Sequence, residues 1–365
     1  MTGSRPDGWG ATGPLQDVHD VLLLDLDGVV YVGDGAVPRA AEALAAARRA
    51  GVRLAFVTNN ASRTADSVAE HLPRIGVGAT ANDVITSAQA AATVLAGRLP
   101  GSARVLVIGG QGLRSALSDV GLVAVDSADD DPVAVVQGFA PEVGWTMLLE
   151  ACVAVRAGLP WVATNLDLSI PTPRGTAPGN GALVEVVRRT TGVDPEVTGK
   201  PRRPIMDDAV RRTGATRALV VGDRLDTDIA GAVSAGLPSM LVLTGVNRVH
   251  DLLAADPSMR PTFVSADLDG LAADHPGCAR DDDGWWRCAA VAARVGRDAG
   301  GRQRLEIEPP APGSEPDAAA ALQAVRAVCA AVWSGVGTAD DDPVALVTAA
   351  AAALSAWTAP HGWDR

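Results

Sequence analysis

Asp25-Leu26-Asp27-Gly28 closes the apolar run Val21-Leu22-Leu23-Leu24, so a buried strand ends by presenting two carboxylates one residue apart. Alternate residues of a strand lie on one face. Both acids can therefore converge at the strand's carboxyl end, and Gly28 lets the backbone turn away tightly. Two converging carboxylates point to a divalent cation or to acid-base chemistry. The plain alternative is an Asp-Gly turn in an acidic chain, and the tetrapeptide alone does not separate the two readings, because short motifs match by chance.

Three further segments supply company for the pair. Thr58 and Asn59 follow a second apolar run, Lys200 stands alone after a long interval, and Asp223 follows Ala218-Leu219-Val220-Val221-Gly222 with Asp228 close behind. Three carboxylates from these segments could hold Mg²⁺, which takes oxygen ligands in octahedral geometry and keeps several waters. A phosphoryl group on that ion would find the Thr58 hydroxyl, the Asn59 amide, backbone N–H groups after the first strand, and the Lys200 charge around its oxygens. Lys200 is the only lysine among 31 basic residues, all the others being arginine. A compact ammonium fits between a carboxylate and a phosphoryl oxygen where a guanidinium fork is too broad.

The segments between these residues read as alternating strands and helices. Pro38 opens an Ala/Arg/Glu-rich helix that stops at Gly51; Arg53 to Val57 reads as a strand; Ser62 or Thr64 caps a helix running to Gly76; a third helix runs from Ser87 to about Arg98 before Pro100-Gly101. From Arg104 a second series begins, with strands at Val105–Ile108, Val133–Val136 and Trp161–Ala163. After Lys200 come a helix around Ile205–Arg212, a strand at Ala218–Val221 and another at Ser239–Leu243. Strands on both sides of an insertion thus end in polar residues, which places one site at the carboxyl edge of one parallel sheet. The expected fold is α/β: a Rossmann-like parallel-sheet core over 17–100 and 195–265, an inserted α/β domain over 101–194, and a small C-terminal α+β module over 266–365 with helical stretches at Ala318–Trp333 and Val344–Trp357.

At 365 residues the chain can bury a sizeable core in two or three domains. A net charge of −12 argues against nucleic acid as a partner, since phosphate backbones attract basic surfaces. Cys152, Cys278, Cys288 and Cys329 form no Cys-x-x-Cys pair, which fits a cytoplasmic protein without a zinc site or a disulfide framework. Met1 to Gln16 lacks an apolar signal core, and no later apolar run of about 18 residues escapes polar interruption, so no membrane insertion is expected. His19, His71, His250, His275 and His361 are scattered outside the constellation, which argues against phosphohistidine chemistry. Trp285-Trp286 reads as a hairpin or core contact rather than a binding face, and the runs Asp129–Asp131, Asp281–Asp283 and Asp340–Asp342 as solvated loops.

Taken in order, Asp25-Leu26-Asp27-Gly28, Val57-Thr58-Asn59-Asn60, Thr198-Gly199-Lys200-Pro201 and Gly222-Asp223-Arg224-Leu225-Asp226-Thr227-Asp228-Ile229 resemble the motifs of the haloacid dehalogenase (HAD) superfamily of phosphatases. The insertion after the second motif, with Thr86-Ser87-Ala88 and Pro178-Gly179-Asn180-Gly181, is similar to the subclass with a large α/β cap, the NagD-like or nitrophenylphosphatase-like enzymes. The resemblance covers about 17–264. It implies a phosphoric monoester hydrolase in which Asp25 is the nucleophile that forms an aspartyl-phosphate and Asp27 is the general acid and then base. It further implies Mg²⁺ held by Asp25, Asp223 and the Asp27 backbone carbonyl, with Asp228 ordering a metal-bound water, and Thr58, Asn59 and Lys200 binding the phosphoryl group. Asp226 falls to a turn or surface role.

The same resemblance leaves substrate choice to the cap, where Asn165, Asp167 and Arg174 are the candidates; an Asx turn tying that loop together is an equal reading of Asn165 and Asp167. Motif order plus a C-terminal appendage of this size is similar to actinobacterial glycerol-3-phosphate phosphatases. That implies glycerol 3-phosphate as substrate, a small phosphorylated metabolite, with phosphoglycolate or broad sugar-phosphate and nitrophenyl phosphate hydrolysis as the alternative. It leaves room for a homo-oligomer. Arg297-Asp298-Ala299-Gly300-Gly301-Arg302 begins like an acyl-CoA pyrophosphate loop, but Arg302 occupies the last position, where a small residue is needed. The appendage is therefore expected to be structural or regulatory.

Overall fold

The computed structural model describes residues 10–11, 13–33, 35–172, 174–297, 303–308, 317–335 and 342–364. Its first sheet has six parallel strands in the spatial order Phe263–Ser265, Ser239–Val242, Ala218–Gly222, Val21–Leu24, Arg53–Thr58, Val84–Thr86. The chain leaves Val21–Leu24 in one direction towards 53 and 84 and, after the insertion, returns on the other side towards 218, 239 and 263. Val21–Leu24 is therefore the topological switch point, where open α/β sheets bind ligands outside the strands' carboxyl ends. All four of its residues are buried, and they alternate between two cores. Leu22 and Leu24 pack with Leu54, Phe56, Leu219 and Val221 on one face, while Val21 and Leu23 pack with Ala55, Val57 and Val220 on the other.

The second sheet has five parallel strands, in the order Glu196–Val197, Trp161–Ala163, Ala134–Gln137, Arg104–Ile108, Val123–Val125. It too is apolar on both faces, with Val105, Val107 and Val136 on one side and Leu106, Ile108 and Val135 on the other. One boundary differs from the sequence reading. Glu196–Val197, expected in the first unit, pairs with Val162 and Ala163, so the chain crosses back only at Thr198. The helix Ser87–Ala96 sends Ala88, Ala91, Ala92 and Leu95 into the second sheet's core, because a strip of small residues permits close approach on that side. An antiparallel hairpin, Ser169–Thr172 with Gly175–Pro178, projects from the second unit.

The C-terminal unit is α+β, an antiparallel sheet of Cys278–Arg280, Trp286–Cys288, Val291–Arg297 and Gln303–Glu308 covered by the helices Ala318–Gly335 and Pro343–Thr358. Trp285 lies beneath the Arg294 guanidinium, and Trp286 Nε1 donates to Ser334, which makes the Trp pair a packing feature of this unit. Ala318–Gly335 and the stretch Pro343–His361, each interrupted by polar residues, are long and apolar enough to cross a membrane by length and composition. The first buries ten residues against the sheet, Arg326 among them, as a core helix does. Residues 298–302 of the loop compared with an acyl-CoA site, Pro309–Gly313, and Asp340 and Asp341 lie outside the described residues; Asp342 caps the last long helix through the N–H groups of Val344 and Ala345.

Candidate active site

Four strand ends and one loop meet at the switch point. Asp25 directly follows the central strand, its N–H bonded to the Val221 carbonyl of the neighbouring strand. Gly28 then turns the chain at φ +81°, where a Cβ would stand 2.4 Å from Asp223 Oδ2. Only glycine supplies both that conformation and that closeness.

Lys200 enters from the segment after Glu196–Val197 and is nearly fully buried. Its ammonium donates to Asp25 Oδ1 at 2.5 Å, Asp228 Oδ1 at 2.7 Å and the Val57 carbonyl at 3.0 Å, which uses all three of its protons. Burial opposes the charge on Lys200, but Asp228 and Asp25 more than offset that and hold it firmly protonated. Asp228 is fixed on its other oxygen by the Arg224 N–H at 3.1 Å.

Asp223 lies across from Asp25, sandwiched between Gly28 and Gly245. Its Oδ2 accepts the Val246 N–H at 2.6 Å, while its buried Oδ1 has no partner. One oxygen from each of Asp25, Asp223 and Asp228 falls within 4.8 Å of the others. Three clustered carboxylates thus share one ammonium, an excess of two negative charges. Burial first, then mutual repulsion, pushes Asp223 up to about 8; burial likewise raises Asp228 to about 6 and lifts Asp25 despite Lys200. A buried, unpartnered carboxylate oxygen on a member of an all-carboxylate cluster with two uncompensated charges is what a hard divalent cation fits.

Asp27 is exposed, yet partial burial of its carboxyl still raises it, with Lys200 and Arg63 pulling the other way. A carboxyl so placed can hold and surrender a proton. Tyr31, the only tyrosine of the chain, packs edge-on against His71 nearby, its phenol raised by burial and by Asp27 and Asp25.

The remaining expected residues divide. Thr58 is buried at the end of its strand, where its hydroxyl accepts the Asn60 N–H at 3.1 Å. Asn59 reaches the site, but its amide is already committed: Oδ1 accepts the Lys200 N–H at 2.8 Å, and Nδ2 donates to the Lys200 carbonyl at 3.0 Å and to Asp167 at 3.2 Å. Its side-chain amide is thus taken up by the Lys200 backbone and Asp167. Asn165 is buried; it donates to the Asn59 carbonyl at 2.8 Å and accepts the Asp167 N–H at 3.1 Å, which makes it the Asx turn that ties the loop. Arg174 is exposed at the hairpin tip, and no described contact joins its guanidinium to the acids. Asp226 is exposed and paired with Arg224.

Sequence reasoning passed over the loop Thr244–Asn247. Thr244 Oγ1 donates to the Gly28 carbonyl at 2.6 Å, and Asn247 Oδ1 accepts the Leu225 N–H at 2.7 Å. The signal available was its place, directly after the strand Ser239–Val242 at the same sheet edge.

Residues 22–123 match the model of haloacid dehalogenase-like hydrolases, and residues 197–271 match a second, HAD-hydrolase-like model. The chain belongs to the haloacid dehalogenase-like hydrolase family, as its four motifs imply. It is 51% identical over 256 residues to D-glycerol 3-phosphate phosphatase of Mycobacterium tuberculosis (strain ATCC 25618 / H37Rv), across 70% of this chain and 72% of that protein. It is 36% identical over 258 residues to acid sugar phosphatase of Staphylococcus aureus, across 70% of this chain and 98% of that one. A crystal structure of a glycerol phosphate phosphatase from Mycobacterium tuberculosis in complex with magnesium superposes with a TM-score of 0.80 at 42% identity, covering 94% of this chain and 100% of the other. The 4-nitrophenylphosphatase of Thermotoga maritima gives 0.66 at 31% identity, covering 71% and 98%.

Proposed function

We propose that this chain is a Mg²⁺-dependent phosphatase that hydrolyses glycerol 3-phosphate to glycerol and phosphate through an aspartyl-phosphate on Asp25. The observation that carries the chemistry is the clustering of Asp25, Asp223 and Asp228 at the switch point, with Lys200 paired to Asp25 and Asp228. The substrate is supported by the 51% identity to a D-glycerol 3-phosphate phosphatase.

Asp25 attacks phosphorus, and the bond to the substrate's alkoxy oxygen breaks as Asp27 donates its proton to that oxygen. Asp27 then takes a proton from the water that attacks the aspartyl-phosphate, which releases phosphate and restores Asp25. Bound Mg²⁺, held by Asp25, Asp223 and the Asp27 backbone carbonyl with Asp228 behind them, would neutralise charge on the transferring group. Lys200 adds the fixed positive charge, and Thr58 a hydroxyl.

The catalytic core is assigned to 17–100 and 198–265, the cap that closes over substrate to 101–197, and the appended module to 266–365. Four unpaired cysteines fit a cytoplasmic setting. Phosphate release from glycerol 3-phosphate, 2-phosphoglycolate and nitrophenyl phosphate tests the substrate. Glycerol 3-phosphate is expected to be turned over fastest by kcat/KM, and equal rates on all three would leave only the broad phosphatase. Asp25→Asn is expected to abolish release on every ester while the thermal melt stays cooperative.

A further inference from the structure

Asn59 joins the first sheet to two separately positioned parts of the site. It follows the strand Arg53–Thr58 of the first sheet. Its amide brackets the Lys200 peptide, taking the N–H at 2.8 Å and donating to the carbonyl at 3.0 Å. Two bonds from one planar group to the N–H and C=O of a single residue fix the direction in which that residue's side chain leaves the backbone. The approach depends on Gly199, where a Cβ would stand 2.6 Å from Asn59 Oδ1. The second Nδ2 proton goes to the Asp167 carboxylate, in the loop that follows the second-sheet strand Trp161–Ala163. The Asn59 backbone carbonyl accepts from Asn165 of that same loop at 2.8 Å. Asn165 in turn holds the Asp167 N–H, so the carboxylate is presented by a closed turn rather than by a free side chain.

We propose that Asn59 is a positioning residue that couples the seating of the Asn165–Asp167 loop to the direction of Lys200, an inference that rests on the phosphatase reading above. With the loop seated, Asp167 holds one Nδ2 proton and thereby orients the amide plane, so that Oδ1 and the other proton meet the Lys200 peptide. With the loop withdrawn, the bond from Asp167 that orients the amide plane is lost, and the amide is held only by its two bonds to Lys200. Asp167 therefore acts through Asn59 on the phosphoryl end of any substrate, rather than by recognising the leaving group.

This distinguishes the role from ordinary specificity. Loss of Asp167 is expected to lower kcat/KM by a similar factor for glycerol 3-phosphate and for nitrophenyl phosphate, whose leaving groups share no chemistry. The test is a double-mutant cycle with Asp167→Ala and Asn59→Ala on both esters, with melts to confirm folding. About a tenfold loss is expected for Asp167→Ala and a larger one for Asn59→Ala, with the double variant no worse than Asn59→Ala alone. Additive losses, or a loss for Asp167→Ala confined to glycerol 3-phosphate, would overturn the coupling. Absence of turnover by the unaltered enzyme on every ester would instead overturn the phosphatase reading. Should Asn59→Ala not fold, Asn59→Ser, which shortens the reach, takes its place in the cycle.

Discussion

At the scale of single residues, the acid cluster is balanced for a state that includes a cation. Asp223 at about 8 and Asp228 at about 6 both sit above the ordinary carboxylate value of 3.8, burial being the first cause in each. The sign follows from linkage: a carboxyl raised in the fold contributes stability below its unfolded pKa, and that contribution is lost as pH rises through the folded value. For the metal-free protein the loss from these two groups runs from about pH 4 to about pH 8. Mg²⁺ binding must displace the same protons, so its stabilisation grows across that window. The melting-temperature gain on adding millimolar Mg²⁺ is therefore expected to be larger at pH 8.5 than at pH 5.5. In Asp223→Asn the gain should vanish while the metal-free melt at pH 8.5 rises, because an unpartnered buried oxygen no longer carries charge. A gain independent of pH would mean that these carboxyls are already ionised without metal.

At the scale of elements, the site is assembled by loops that follow strand ends, and glycine decides how closely they pack. Gly245 shows this cleanly. Its backbone is in no left-handed region, yet a Cβ there would fall 1.9 Å from Asp223 Oδ2. Gly245→Ala is thus a purely steric displacement of one metal-facing carboxylate. It is expected to raise the Mg²⁺ concentration for half-maximal activity by about tenfold or more while costing about 1–3 kcal/mol of stability, read by titration and melt. The same elements show what a reader of the sequence can reach. Val21–Leu24 and Ala218–Gly222 announce themselves because a strand buried on both faces must be apolar throughout, and the acid that ends each run is then conspicuous. Glu196–Val197 is only two residues long and offers no pattern, so the return crossing is misplaced. The strands at Cys278–Arg280 and Trp286–Cys288 are short and carry arginines, which hides their alternation. Gly245–Asn247 acts through backbone N–H and close approach, and Asn59 with Asp167 through a contact spanning 108 residues of sequence. Neither leaves a local signature.

At the scale of the whole molecule, the C-terminal unit bears on the site through shared packing. The sequence matches to D-glycerol 3-phosphate phosphatase and acid sugar phosphatase each span 70% of this chain, whereas the magnesium-bound glycerol phosphate phosphatase covers 94% of it in structure. The acid sugar phosphatase is matched over 98% of its length without such an appendage. Here Leu241, Leu243 and Val264 of the first sheet's edge share one core with Val325, Val328, Leu346 and Leu354 of the last two long helices. Between them lies the helix Val249–Leu253, which begins two residues after Asn247 and packs against both C-terminal helices. Its first N–H donates to the Trp363 carbonyl near the far end of the chain. The loop holding Asp223 is thus backed by the appended unit. Leu252, fully buried in this core, tests the link. Leu252→Ala is expected to cost about 2–5 kcal/mol, as large-to-small changes in tight cores do. If the packing stiffens the Thr244–Asn247 loop, the same variant also needs more Mg²⁺ for half-maximal activity at temperatures well below its melt. A destabilised variant with an unchanged Mg²⁺ requirement would confine the C-terminal unit to stability alone.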